Sequence, residues 1–195
     1  MQQILQQAEI NQQKAWNIIE ETHIIDLWKS IGAEVHLVGS LKSGLLMKHL
    51  YIDFHIYSDP INIQESFSVI AKLAENPAIK HLEYTNLLDT QEECIEWHAQ
   101  YQDTDNRLWQ LDMIHFRKGS FYEGYVEKVT DRIISVLTPQ TREAILQLKY
   151  DIPDTEKVMG IEIYRAVLEG EIANYTDFIE WRKRHSFDGV LEWMP

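Results

Sequence analysis

Cysteine is nearly absent from this chain, with Cys94 alone among 195 residues. One thiol closes no intramolecular disulfide and forms no Cys-x-x-Cys zinc pair, and this usage suits a reducing compartment. Positive charge is also scarce: 18 Lys and Arg stand against 31 Asp and Glu, for a formal net charge of −13. Such a surface repels a phosphate backbone at long range, so nucleic acid is not the expected partner. A nucleotide still fits, because a divalent cation overrides the global field locally. No apolar run nears the ~20 residues of a membrane helix. The opening MQQILQQAEINQQ has no basic stretch ahead of an apolar one and does not read as a signal peptide. The expected location is cytoplasmic. No His-x-x-x-His or His-Glu-x-x-His occurs among the eight histidines, which leaves a zinc hydrolase without a motif.

Apolar and aromatic residues are plentiful. They make up 45% of the chain and include six Trp and nine Tyr, enough for a core without disulfide or metal staples. Apolar positions over residues 2–31 follow a helical period up to Gly32, as one long helix or two. A short strand over 34–38 stops at Gly39-Ser40, and residues 41–49 read as one or two helical turns. Residues 50–57, LYIDFHIY, alternate: Leu50, Ile52, Phe54 and Ile56 face one way, Tyr51, Asp53, His55 and Tyr57 the other. An amphipathic helix over 61–75 follows. Three strands come next, at 79–87, 92–101 and 107–116, the last two joined by QDTDN as an antiparallel hairpin. Helices then fill 122–136, 139–150, 156–169 and 174–185. The order predicts an α+β fold with a mixed, largely antiparallel sheet of about five strands, flanking helices and a helical C-terminal region. A soft boundary at 151–154 divides a core, 1–150, from a helical extension, 151–195, packed on it.

Chemistry concentrates on two acidic residues and a turn. Gly39 permits a tight turn and close approach of a ligand. Ser40 offers a hydroxyl and an N–H at a helix N-terminus, a seat for phosphate. Asp53 follows on a strand face, and a carboxylate there suits Mg²⁺. Asp112 sits among Trp109, Leu111, Met113 and Ile114, where an unpaired carboxylate is costly and a partner is required. That partner is a metal shared with Asp53, an Arg, or backbone N–H groups. Cys94 and His98 share one strand face, where an ordinary Cys is favoured over a catalytic pair. Tyr175, Phe178 and Trp181 recur at helical spacing and, with Phe187 and Trp193, read as packing residues.

The stretch VGSLKSGLLMKHLYIDFHIY resembles the active-site turn and strand of the polymerase-beta-like nucleotidyltransferases. Their pattern is an apolar residue, Gly-Ser, about ten residues, then Asp-x-Asp on a strand, with a third acidic residue on a later strand. The resemblance spans roughly residues 34–116. It implies that Asp53 and Asp112 hold Mg²⁺ or Mn²⁺, and that Gly39, Ser40, Lys42 and Lys48 meet the phosphates of a nucleoside triphosphate. A nucleoside monophosphate would pass to a small-molecule or protein acceptor. Lys149 would reach the triphosphate from the opposite side. One carboxylate is missing: the pair reads Tyr51-x-Asp53 or, with a loop two residues longer, Asp53-x-His55. Two alternatives follow from this gap. One is a degenerate member that binds a ligand or partner without turnover. The other is a metal-dependent hydrolase with a mixed site of Asp53, His55 and Asp112.

Overall fold

The computed structural model of the chain describes residues 2–185 and 193–195. Phe187 lies outside the described residues. Among the described residues, eight helices and five strands follow in the order α1 (Gln2–Thr22), α2 (Ile24–Lys29), β1 (Glu34–Val38), α3 (Gly39–Lys42), β2 (Tyr51–Ser58), α4 (Ile63–Ala74), β3 (Ile79–Leu87), β4 (Cys94–Gln102), β5 (Leu108–Arg117), α5 (Tyr125–Val136), α6 (Pro139–Asp151), α7 (Gly160–Gly170) and α8 (Tyr175–Arg184).

The sheet order is β1-β2-β5-β4-β3. β1 pairs antiparallel with β2, and β3, β4 and β5 form an antiparallel meander. The meander returns so that β5 lies parallel to β2. A parallel pair needs a crossover, and α4 with β3 and β4 supplies it. The α+β, mixed-sheet reading of the sequence matches this architecture.

The alternation in β2 decides which face is buried. Ile52, Phe54 and Ile56 enter a core with Trp109, Leu111 and Met113 of β5 and Ile95, Trp97 and Ala99 of β4. Trp28, Ile24, Val69, Ile70 and Leu73 cover them from α2 and α4. Each such side chain contributes about 1.5–3 kcal/mol on burial. A second cluster joins α5, α6, α7 and α8 through Ile133, Ile145, Leu148, Ile163, Phe178 and Trp181, with Leu45 and Trp193. The packing role expected for the aromatic C-terminus is therefore seen for Phe178, Trp181 and Trp193. The link at 152–159 between α6 and α7 lies between two helices of this one cluster.

Of residues 41–49, expected as one or two helical turns, the structure has the end of one turn and then loop. Only α3 is helical, a four-residue turn. Gly44, at φ 73°, ends it, since a left-handed residue cannot continue a right-handed helix. The rest is loop, held by side chains from two helices. Asn11 Nδ2 donates to the Met47 carbonyl at 2.6 Å and Gln12 Nε2 to that of Leu41 at 3.2 Å. Arg142 Nε donates to Gly44 at 3.1 Å and Lys149 Nζ to Leu45 at 2.8 Å. These bonds satisfy loop carbonyls that regular structure leaves unpaired.

Candidate active site

The turn between β1 and β2 brings the expected residues together. Gly39 has φ 70°, which glycine adopts at no steric cost. It also lies against Asp53: a Cβ at Gly39 would sit 2.5 Å from Asp53 Oδ2. The Gly39 N–H donates to Thr130 Oγ1 on α5 at 3.4 Å. α3 is too short to carry much macrodipole, so Ser40 offers only its own N–H and hydroxyl rather than a helix terminus.

Asp53 and Asp112 are direct partners across the parallel pair β2–β5. Parallel partners project from the same face, about 4.8 Å apart along the hydrogen-bond direction. Burial raises the Asp53 pKa to about 7, and the charge of Asp112 adds to that rise, while Lys149 opposes it. Two adjacent carboxylates of this kind repel, and a cation between them relieves the repulsion. Asp112 Oδ1 accepts from Gln110 Nε2 at 2.8 Å and lies 2.5 Å from His98 Nδ1. Burial alone would lower the His98 pKa, but its bond to Asp112 and the charges of Asp112, Glu96 and Glu83 raise it above the ordinary value. The partner that Asp112 required is thus His98 with Gln110.

A cleft of about 760 Å³ opens beside the turn, lined by Ser40, His49, Tyr51, Lys149, Met159 and Arg182 among others. Its size falls in the range of small-molecule sites. Neither Asp53 nor Asp112 lines it. Of its lining residues, Ser40 follows Gly39 in the turn, Tyr51 lies two residues before Asp53 on β2, and the charge of Lys149 reaches Asp53. Lys149 is buried, its ammonium donating to Leu45 O and, at 3.1 Å, to Tyr164 Oη.

Three expected site residues turn elsewhere. Lys42 pairs with Asp131 at 2.6 Å, and Lys48 pairs with Asp154 at 2.8 Å and donates to the Ile152 carbonyl. His55 is buried and lies 3.2 Å from Glu127 Oε1 on α5, which also accepts from Tyr57 Oη at 2.7 Å. Burial alone would raise the Glu127 pKa, yet the hydrogen bonds from His55 and Tyr57 and the charge of His55 hold it near about 2. No group of three or more His, Cys, Asp or Glu among the described residues is placed to hold a metal ion, so the mixed Asp53, His55 and Asp112 site is not assembled. Tyr51 lines the cleft, while His55 is turned to Glu127. Cys94 is buried, with a thiol pushed up to about 12 by burial and by Glu96 and Glu92, which is no catalytic nucleophile.

Two carboxylates suit Mg²⁺ or Mn²⁺ when substrate phosphates complete the shell, since Mg²⁺ is commonly held by one or two carboxylates plus phosphate oxygens. His98 was singled out in the sequence only beside Cys94, and Gln110 and Thr130 not at all. The period-two run Glu96, His98, Gln100 opposite Gln110, Asp112 was the available signal for the first two.

No protein-family model matches the sequence, and no curated protein matches it. Solved structures do. The RNA terminal uridylyl transferase Cid1 superposes with a TM-score of 0.57 at 13% identity, covering 80% of this chain and 46% of that one. A second Cid1 poly(U) polymerase structure gives 0.54 at 12% identity, covering 86% and 56%. A cytoplasmic RNA terminal U-transferase gives 0.51 at 12% identity, covering 86% and 51%. The chain has the fold of the polymerase-beta-like nucleotidyltransferases. It spans about half the length of the structures it matches. Among the described residues, no helix is long and apolar enough to cross a membrane.

Proposed function

We propose that this chain binds a nucleoside triphosphate with one divalent cation, Mg²⁺ or Mn²⁺, and transfers the nucleoside monophosphate to an acceptor that is not a nucleic acid. The observation that carries this reading is the in-register pair Asp53–Asp112, with Asp53 Oδ2 against the Gly39 backbone. Cid1 structures solved with Mg 3′-dATP and with MgGTP, at TM-scores of 0.52 and 0.53, support it by analogy of fold.

The bound cation would neutralise phosphate charge and polarise the α-phosphate for attack. Asp53 and Asp112 would hold it, and Asp53 would give up its proton in doing so. Gly39, lacking a side chain, lets the phosphates approach the carboxylates. Ser40 and Lys149 donate to phosphate oxygens from two sides of the cleft. Asn11, Gln12 and Arg142 hold the loop carbonyls in place, so the turn needs no reorganisation when a ligand arrives. Lys42 and Lys48 have no part in this account.

A second reading is favoured by one observation, the tyrosine at position 51. A neutral phenol is a poor Mg²⁺ ligand beside a carboxylate. With two carboxylates instead of three, the site would bind nucleotide without turnover. Calorimetric titration with ATP, CTP, GTP and UTP, each with Mg²⁺ or Mn²⁺, tests binding, and pyrophosphate release separates the readings. Binding of at least one nucleotide that is lost in Asp53→Asn is expected. No binding of any of the four sinks both readings.

A further inference from the structure

The sheet ends in two edge strands, β1 and β3. β1 has five residues, whereas β3 runs for nine. An edge strand presents unpaired N–H and C=O groups, and proteins blunt it with Pro, charge, a bulge or a covering element. In β3 the register shift falls between Ile79 and His81, beside Lys80. Residues 81–87 then pair with β4 without a break, and they contain no Pro and one formal charge, Glu83. Among the described residues, no strand pairs with their outer side.

The helix over this edge adds an apolar flank. On α4, Ile63, Phe67, Ala71 and Ala74 recur at helical spacing, and all four are exposed. They run beside the buried stripe of Ser66, Val69, Ile70 and Leu73. Phe67 sets their direction: its ring lies 4.9 Å from that of Tyr84 on β3 and 4.7 Å from that of Trp97 on β4. Tyr84 is itself exposed. The patch therefore spans two layers, the sheet edge and the helix over it. A lone strand added to β3 would pair the backbone and leave Ile63 and Phe67 in water. A partner covers both only if it carries a helix at the same height, and a second copy turned about a two-fold axis normal to the sheet has that shape. Charge agrees. Of the chain's formal −13, the α4 flank carries none and residues 81–87 carry −1 with His81 neutral, so two copies meet here with little of their mutual repulsion.

We infer that two copies of this chain pair antiparallel along β3, with the axis at Tyr84, the midpoint of the unbroken stretch 81–87. The two five-stranded sheets then join into one. Tyr84 faces its own counterpart, and Glu83 lies opposite the partner's Thr85, whose hydroxyl can donate to it. Ser66 Oγ accepts from Trp97 Nε1 at 2.9 Å, so α4 lies over β4 at this level. β4 and its copy would stand three strand spacings apart, about 14 Å, against about 8–10 Å for packed helices. Phe67 and Tyr84 from both copies fill the difference. The stretch is about 24 Å long, which puts the contact at the low end of stable interfaces, about 600 Å² per partner, with self-association in the micromolar range. Asp53 and Asp112 lie on β2 and β5, further into the sheet, and no residue of α4 or β3 lines the cleft. Pairing leaves both nucleotide sites open.

Sedimentation equilibrium of the full chain, from about 1 to 200 µM, is the first test. The mass should rise from 23.0 kDa toward twice that value. Phe67→Glu should raise the dissociation constant at least about tenfold and leave nucleotide binding unchanged. Cysteine cross-linking reads the register. Residues directly opposed in an antiparallel pair have Cα atoms about 4.5–5.5 Å apart, within reach of a disulfide, and the native Cys94 is buried. Under mild oxidation Tyr84→Cys should form a covalent dimer. Asn86→Cys, whose two copies would stand about 14 Å apart along the strands, should not. A mass of 23.0 kDa at every concentration, a dimer that Phe67→Glu leaves as tight as before, or cross-linking of Asn86→Cys equal to that of Tyr84→Cys overturns the inference. If Phe67→Glu does not fold, the two cysteine variants decide the case.

Discussion

Replacing Asp53 by Asn should stabilise the protein in the absence of divalent cations. The Asp53 carboxyl has its pKa raised from the ordinary 3.8 to about 7, first by burial and then by Asp112. The folded state therefore holds this proton more tightly than the unfolded chain does. The resulting stability is fully present below a pH of about 4 and is lost as pH rises through about 7. At ~1.4 kcal/mol per pKa unit, the ceiling on this loss is about 4 kcal/mol. Asp53 is only half-buried, and solvent screening brings the expected figure to about 2 kcal/mol. For a chain of this length that is a melting temperature about 4–8 °C above wild type near pH 8. Near pH 5 the advantage should fall by more than half. Thermal unfolding in chelator across this pH range is the assay. Adding nucleoside triphosphate with Mg²⁺ should then raise the wild-type melting temperature and leave the Asn variant unmoved. An Asn variant that melts with wild type at every pH refutes the claim that burial and the charge of Asp112 hold the Asp53 proton in the folded state.

Three further substitutions probe the same geometry. Gly39→Ala puts a methyl 2.5 Å from Asp53 Oδ2 at a φ of 70°; a cost of about 1–2 kcal/mol and at least tenfold weaker nucleotide binding are expected from melts and calorimetry. Tyr51→Asp adds a carboxylate at the cleft and should tighten Mn²⁺ binding in the presence of nucleotide on the order of tenfold; if the chain is a binder without turnover, this change should also produce pyrophosphate release. Glu127→Gln removes a carboxylate held down to about 2 by His55 and Tyr57. The stability that Glu127 contributes is present above a pH of about 4.5 and lost as pH falls toward 2, so urea melts should show a deficit of about 1–2 kcal/mol at neutral pH that fades on acidification.

The parts of this molecule that a sequence discloses are local. The alternation of LYIDFHIY, the Gly39-Ser40 stop and the turn residues of QDTDN depend on neighbours within a few positions, and β2, the turn and the β4–β5 hairpin appear where those patterns place them. Thr138 caps α6 just ahead of the expected start at residue 139, accepting from the Thr141 N–H at 3.2 Å. What escaped was set by distant residues. Nothing near Lys42 or Lys48 in sequence announces Asp131 or Asp154, so two solvated cations looked available for phosphate. The loop at 43–50 has apolar residues that suit a helix, but Asn11, Arg142 and Lys149 hold it in another shape. Parallel pairing of β2 with β5 is likewise a matter of where the meander lands, and only that register puts Asp53 beside Asp112. His55 shares a strand face with Asp53, yet α5 brings Glu127 to it.

The central claim is that Asp53 and Asp112 form one cation site completed by nucleotide phosphates. Electron paramagnetic resonance of Mn²⁺ added to the protein measures it directly, with and without nucleoside triphosphate. The account predicts one Mn²⁺ per chain, bound in the presence of nucleotide more tightly than nucleotide alone binds it, and released by either Asp53→Asn or Asp112→Asn. Mn²⁺ that follows free nucleotide alone, or that binds both variants as it binds wild type, would contradict it.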